Sequence, residues 1–174
     1  MLGLKVQDNA DFGAEIIRKV REHGSLSRVE LARVLGVAAS TIGRHVDALV
    51  GAGYFSETLE PTKEAGRPPT RLRPMPGYGC FIGVDFNAEE LYATAVDFAQ
   101  QTIAQHHQRI HGEQGAQSAL REILEVVDVL AKKASLPVLA VGMAIPGQVD
   151  TLRGVGLKYI KMPGWNNVPI AAMV

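Results

Sequence analysis

Ser27-Arg28-Val29-Glu30 is the tightest local constraint in this chain. A Ser hydroxyl followed three residues later by a Glu carboxylate forms a capping box, in which each side chain satisfies an orphan amide at the start of a helix. A helix therefore begins here; Leu31 and Leu35 share its apolar face, and Gly36 supplies a sharp turn. A second apolar stripe follows at once. Ile42, Val46, Leu49 and Val50 repeat at helical spacing over 39–52, and Gly53 ends the pattern. Upstream, Phe12, Ile16, Ile17 and Val20 stripe a helix over 11–23 that Gly24 stops. Three short helices with a tight turn between the second and third read as a helix-turn-helix.

The outer face of the third helix carries Ser40, Thr41, Gly43, Arg44, His45 and Asp47. Polar side chains in the first turns of such a helix are placed to read base edges in a DNA major groove, and Arg can bond a guanine bidentately. Two features weaken this helix. Ala38 stands where a capping Ser or Thr is preferred, which forfeits about 1 kcal/mol. Gly43 costs about another 1 kcal/mol relative to Ala, explained either by close helix packing or by close approach to DNA.

Next come two strand patterns, 54–57 and 70–73, flanking a loop punctuated by Pro and Gly. They make the unit a winged helix. Lys63, Arg67, Arg71 and Arg73 face only Glu64 here, and Gly66-Arg67-Pro68 forms a hook suited to a minor groove. Lys63, Gly66, Arg67, Pro68 and Arg71 therefore join Ser40, Thr41, Gly43, Arg44 and His45 as candidate contacts to double-stranded DNA. The net charge of zero hides this asymmetry: residues 1–78 hold 11 Lys and Arg against 9 Asp and Glu, leaving 7 against 9 for the remainder. Phosphate contacts are decided within a Debye length of roughly 8–10 Å, so the local patch outweighs the total.

One cysteine, Cys80, excludes an internal disulfide and fits a reducing compartment. No apolar run reaches the ~18 residues that would span a bilayer, and residues 1–5 do not begin a signal peptide. A soluble, cytoplasmic chain without a membrane partner is expected.

Pro74, Pro76, Gly77 and Gly79 mark a linker, so the chain divides into a DNA-binding domain over 1–76 and a second domain over 77–174. The second opens with a buried strand over 80–86. Two more strands, 91–97 and 102–110, follow on short connections that imply antiparallel neighbours. Leu120, Ile123, Leu124, Val127 and Leu130 place a helix over 114–134, and an apolar strand over 136–144 ends in Ile145-Pro146-Gly147. Strand-strand-strand-helix-strand begins an actin-like, ribonuclease-H-like subdomain. The fold class is thus α/β joined to an all-α winged helix-turn-helix. His106, His107, His111 and Glu113 have metal-like spacing, but on a strand His107 and His111 share one face and His106 takes the other. Trp165 reads as core rather than as a sugar-stacking ring.

Four motifs in this order carry a resemblance: Gly66-Arg67-Pro68 in the wing, Gly83-Val84-Asp85 on the first strand, 142–150 (GMAIPGQVD) and 162–169 (MPGWNNVP). The chain resembles the N-terminal part of the ROK family (repressors, open reading frames and kinases), in its transcriptional-repressor branch. The resemblance implies a repressor of carbohydrate-utilisation genes acting on a DNA operator. It implies regulation by a sugar, sugar phosphate or phosphotransfer-system partner, and assembly as a homodimer or homotetramer. Pro146, Gly147, Pro163, Gly164 and Asn166 become candidate ligand contacts, and Arg67 the centre of an A/T minor-groove hook.

Departures from the family point away from catalysis. Kinase members have a Gly-rich turn after the first-strand Asp, with backbone amides cradling ATP phosphates. Here it is Phe86-Asn87-Ala88-Glu89-Glu90, without glycine and with two carboxylates. Asp85 then reads as a strand-end capping residue, and Lys161 stands where kinases tend to have Asn. The family's Glu-Asn-Asp segment and Cys/His zinc cluster would lie beyond Val174, so the chain is expected to be truncated. It is also expected to have no cofactor of its own, zinc belonging to the continuation. No enzymatic activity is expected; the alternative is a ROK sugar kinase with an appended N-terminal domain.

Overall fold

The structure, a computed structural model, describes residues 9–60 and 70–173. The wing tip with Lys63, Gly66, Arg67 and Pro68 lies outside the described residues. Two compact units emerge, the first running up to Tyr78 with Phe98–Gln100 added, the second formed by Gly79–Asp97 and Gln101–Val174.

In the first unit, α1 (Asn9–His23), α2 (Arg28–Leu35) and α3 (Ala39–Gly51) pack with strands β1 (Leu26–Ser27), β2 (Phe55–Leu59) and β3 (Thr70–Pro74). The capping box forms as the sequence predicts: Glu30 N–H donates to Ser27 Oγ at 3.2 Å, and Ser27 N–H to Glu30 Oε2 at 2.7 Å. Gly36 ends α2 at φ 66°, a left-handed conformation that any Cβ would strain. The α2–α3 turn depends on it. Ile16, Val20, Leu31, Ile42, Val46 and Leu72 are fully buried in one core, each contributing about 1.5–3 kcal/mol by leaving water.

The sheet order is β1-β3-β2, all antiparallel. The two-residue β1, absent from the sequence reading, pairs Leu26 with Leu72 and Ser27 with Arg71. The expected linker is ordered: Pro74 is buried at the end of β3, and Pro76–Tyr78 is a 3-10 turn. Its Tyr78 ring lies 4.2 Å from that of Tyr54.

In the second unit, β4 (Cys80–Phe86), β5 (Glu90–Asp97), β6 (Thr102–Arg109), α4 (Ala116–Ala134) and β7 (Val138–Ala144) follow the anticipated order. The sheet runs β6-β5-β4-β7, antiparallel except for the parallel β4–β7 pair made across α4. Along β4, Cys80, Ile82, Val84 and Phe86 are buried while Gly83 and Asp85 face out. The buried set meets Ala119, Leu120, Ile123, Val126 and Leu130 of α4 in the larger core. Gln114, the first residue of the helix in the sequence reading, belongs instead to a separate 3-10 turn, Gly112–Gln114.

A second sheet, not foreseen from the sequence, follows the Pro146-Gly147 turn. β8 (Gln148–Asp150), β9 (Val155–Lys158) and β10 (Asn166–Val168) form an antiparallel meander in the order β10-β9-β8. Trp165 is core, as expected: it is 2% exposed, with its ring 5.5 Å from that of Phe86 and edge-on to that of Tyr159 at 6.5 Å.

Candidate nucleic-acid interface and effector groove

The exposed surface of α3 is narrower than the sequence list. Ser40 and Arg44 are exposed and Thr41 and Gly43 partly so. His45 is half-buried: its ring packs 4.9 Å from that of Phe12 in α1, and its Nε2 is buried without a hydrogen-bond partner among the described residues. The reason is rotational. His45 sits next to the buried Val46 and three residues after the buried Ile42, so it falls at the margin of the core stripe. Around Gly43 there is open space within 4 Å of a built Cβ, which removes helix packing as the explanation for that glycine.

Arg71 is engaged within the first unit. Its Nε donates to Glu60 Oε2 at 2.5 Å and its Nη1 to Glu30 Oε2 at 3.0 Å. Arg73 comes within 3.9 Å of Glu60. The expectation that Arg71 and Arg73 face only Glu64 missed Glu60, which follows directly on the end of β2 where Leu59 pairs with Thr70, within reach of both side chains. The Glu60 hydrogen bond raises the Arg71 pKa, and the Glu30 charge adds to it. Arg71 therefore braces the sheet against the start of α2.

Arg28, at the other end of the capping box, is a residue the sequence reading passed over. Its guanidinium bonds Asp47 on α3 and Glu57 on β2, and it reaches the Gly43 carbonyl at 3.4 Å. The Glu57 hydrogen bond is the main cause of its raised pKa, followed among the raising effects by that to Asp47. Asp47 is thereby tied to the scaffold.

Of the candidate ligand residues in the second unit, Gly147 and Asn166 both neighbour Lys158 of β9. Gly147 sits at φ 89°, and a Cβ there would overlap the Lys158 carbonyl, so the turn into β8 requires glycine. It lines an open groove of about 400 Å³ with Gln148, Lys158, Tyr159, Ile160 and Lys161. Asn166 pairs with Lys158 in the β9–β10 register. Pro146 is half-buried before the turn. Pro163 serves the fold through its carbonyl, which accepts the Ala116 N–H at 2.8 Å at the head of α4. Gly164 is exposed at φ 76° in the same bend.

The turn after Asp85 is closed upon itself. Asn87 Oδ1 accepts the amides of Glu89 at 2.8 Å and Glu90 at 3.0 Å, and the Ala88 carbonyl accepts the Gly112 N–H at 3.2 Å. Of the histidines, His106 reaches Gln108, His107 lies 2.6 Å from Glu90 and His111 lies 3.6 Å from Glu122. Among the described residues no group of three or more His, Cys, Asp or Glu could hold a metal ion, and no helix is long and apolar enough to cross a membrane.

No family model matches the chain. It is 21% identical over 142 residues to uncharacterized protein y4fQ of Sinorhizobium fredii (strain NBRC 101917 / NGR234), covering 78% of this chain and 35% of that protein. Among solved structures it is similar to a ROK family transcriptional regulator, a homolog of the E. coli MLC protein. The TM-score is 0.66 at 19% identity, over 95% of this chain and 43% of the regulator. A ROK family glucokinase from Streptomyces griseus, solved with glucose and AMPPNP, matches 55% of this chain and 29% of that enzyme with a TM-score of 0.47 at 24% identity. The chain thus spans less than half the length of the proteins it resembles. Over nearly its whole length it shares the mixed α/β fold of the regulator.

Proposed function

We propose that this chain acts as a ROK-family transcriptional repressor of carbohydrate-utilisation genes in the cytoplasm. Its first unit serves as a winged helix-turn-helix reading double-stranded operator DNA, presented in pairs on a homodimer or homotetramer. Its second unit senses a sugar effector or a phosphotransfer-system partner. The observation that carries the reading is the surface of α3. Ser40, Thr41 and Arg44 are displayed on a helix whose opposite face is locked into the core by Ile42 and Val46. No salt bridge engages Arg44 among the described residues, whereas Arg28 and Arg71 are engaged. An exposed Arg beside two hydroxyls in the first turns of such a helix matches direct base readout. The fold shared with a ROK transcriptional regulator supports the same assignment.

The test is fluorescence anisotropy with DNA recovered by in vitro selection and with scrambled DNA, at one fixed salt concentration. Arg44→Ala is expected to weaken the selected site by about 1–3 kcal/mol and the scrambled one little. Equal losses on both would reduce Arg44 to a phosphate contact. Failure of the wild-type chain to select any sequence would overturn the reading. Arg67→Ala is expected to cost more on A/T-flanked than on G/C-flanked sites, because narrow minor grooves concentrate negative potential.

A further inference from the structure

The turn between β5 and β6 carries an apolar ring at its tip. Asp97-Phe98-Ala99-Gln100-Gln101 places a phenylalanine where polar residues are the norm, and Phe98 is only 3% exposed. The division of the chain explains this burial. Phe98–Gln100 belongs to the first unit, although the residues on either side belong to the second. The first unit is therefore built from two separate stretches of chain, and three of its elements receive the ring. Tyr54, which follows α3, has its ring 5.8 Å away, and Tyr78 of the 3-10 turn has its ring 4.9 Å away. Arg21, in the last turn of α1, holds its guanidinium 5.0 Å from the ring centre. Its Nε donates to the Phe98 carbonyl at 2.9 Å. Rings at these separations, with a cation over one face, gain more than their buried area alone provides. The turn itself is braced. The Gln101 N–H donates to Asp97 Oδ1 at 2.9 Å, and the Asp97 N–H donates to the Gln101 carbonyl at 2.9 Å. Gln100 is held at φ 66°, a left-handed conformation that a residue with a Cβ keeps only where its surroundings impose it. The β5–β6 register is irregular between Ala95 and Val96, where an offset re-aims the residues that follow.

We propose that Phe98 is a positioning residue for DNA reading, which fixes α1 in the first unit and ties the state of that unit to the β5–β6 pair. The proposal rests on the DNA-reading assignment above and names the residue through which β5 and β6 act on the reader. Phe98 makes no contact with DNA in this scheme. It acts through Arg21 on α1, the helix whose Phe12 packs on His45, the neighbour of Arg44 on α3. β5 and β6 run directly from the two ends of the braced turn, so a change in their pairing is carried to the ring. Coupling of this kind is reciprocal, so operator binding to the first unit must register in β5 and β6.

The experiment is hydrogen exchange read by mass spectrometry on the full chain, in a urea series and with or without the DNA recovered by in vitro selection. Trp165, the single tryptophan, reports unfolding of the second unit by its fluorescence in the same series. In wild type the α1–α3 peptides and Trp165 are expected to share one urea midpoint, and operator DNA to slow exchange in the β5–β6 peptides. In Phe98→Ala the two midpoints are expected to separate by about 1 M or more, the first unit unfolding earlier. The β5–β6 response to operator should vanish in the same variant. Arg21→Gln leaves the ring in place and removes its clamp, so it should give the same changes at smaller amplitude. Separate midpoints in wild type, or coincident midpoints in both variants, would overturn the proposal. So would a β5–β6 response to operator that persists in Phe98→Ala. A wild-type chain that binds no DNA would sink the DNA reading and the positioning role with it; the urea midpoints then judge the tie to β5 and β6 alone.

Discussion

Arg28 Nη2 lies 2.7 Å from Asp47 Oδ1, so the first residue of α2 holds the middle of α3. The same guanidinium bonds Glu57 Oε1 at 2.8 Å through Nε, which makes one side chain the joint of α2, α3 and β2. Arg suits this place because its planar fork donates in several directions at once, which a Lys point charge does not.

Arg28→Ala is expected to destabilise the first unit by about 1–2 kcal/mol and to weaken operator binding beyond that, since α3 loses its lateral tie. The two pairs should differ. Asp47 is 67% exposed and its pair with Arg28 is worth about 0.5 kcal/mol or less, whereas Glu57 is 29% exposed and its pair is worth about 1 kcal/mol. Denaturant unfolding in two double-mutant cycles measures each coupling. A larger coupling to Asp47 would reverse this ranking.

Gly43→Ala separates stability from DNA approach. Open space surrounds a Cβ at Gly43, so the substitution meets no clash and is expected to stabilise the folded chain by about 1 kcal/mol through helix propensity. If DNA backbone comes close to α3 here, operator affinity should fall in the same variant. A melting temperature that rises with affinity unchanged would leave Gly43 without a role in binding.

These two residues also mark what a sequence can disclose. The capping box, the Gly36 turn and the β4–β5–β6–α4–β7 order were legible because each depends on neighbours in sequence or on a repeated apolar stripe. The pairing of Leu26 with Leu72 was not, since two residues carry no periodicity and the ladder closes over 46 positions. Glu60 was hidden as the partner of Arg71 for another reason: β2 runs on to Leu59, two residues past the strand read from the sequence, which sets Glu60 beside β3. In the groove, Gly147 could be reached from a short motif, but Lys158 acquires its setting only from the β8–β9–β10 register. The half-burial of His45 was not legible either, because a margin position cannot be told from an outer one by helical spacing alone.

Acid sensitivity of the first unit should trace to Glu30. Hydrogen bonds from the Ser27 backbone and hydroxyl hold its pKa below the ordinary glutamate value, with the Arg71 and Arg33 charges adding to the effect. A carboxyl whose folded pKa is depressed contributes stability that is present above its unfolded value and lost as pH falls through the folded one. Wild type is therefore expected to lose stability below about pH 4.3, and Glu30→Gln to lose less over the same interval. The difference should stay under about 1 kcal/mol, because the Glu30 side chain is 38% exposed and solvent screens its charges. Ser27→Ala should cost about 1 kcal/mol by removing the cap. Unfolding curves at pH 6 and pH 3.5 decide it, and identical pH dependence in wild type and Glu30→Gln would remove Glu30 from the account.

Sugar phosphorylation is the activity this chain is expected to lack. Phosphoryl transfer requires donors and cations arranged around the phosphate oxygens. In the turn after Asp85 the amides of Glu89 and Glu90 already donate to Asn87 Oδ1, and a Cβ at Gly112 would run into the Ala88 backbone packed beside it. The Glu90 carboxylate is 2.6 Å from His107, and Glu89 remains as an exposed negative group where a nucleotide phosphate would need positive charge. Asn87→Ala releases the two amides but adds no cation, so it is expected to destabilise the second unit by about 1 kcal/mol without creating turnover. A coupled ADP-release assay with hexoses, pentoses and N-acetylhexosamines provides the measurement. Sugar-dependent turnover above background in the wild-type chain, abolished by Asp85→Ala, would establish the kinase alternative in place of the repressor.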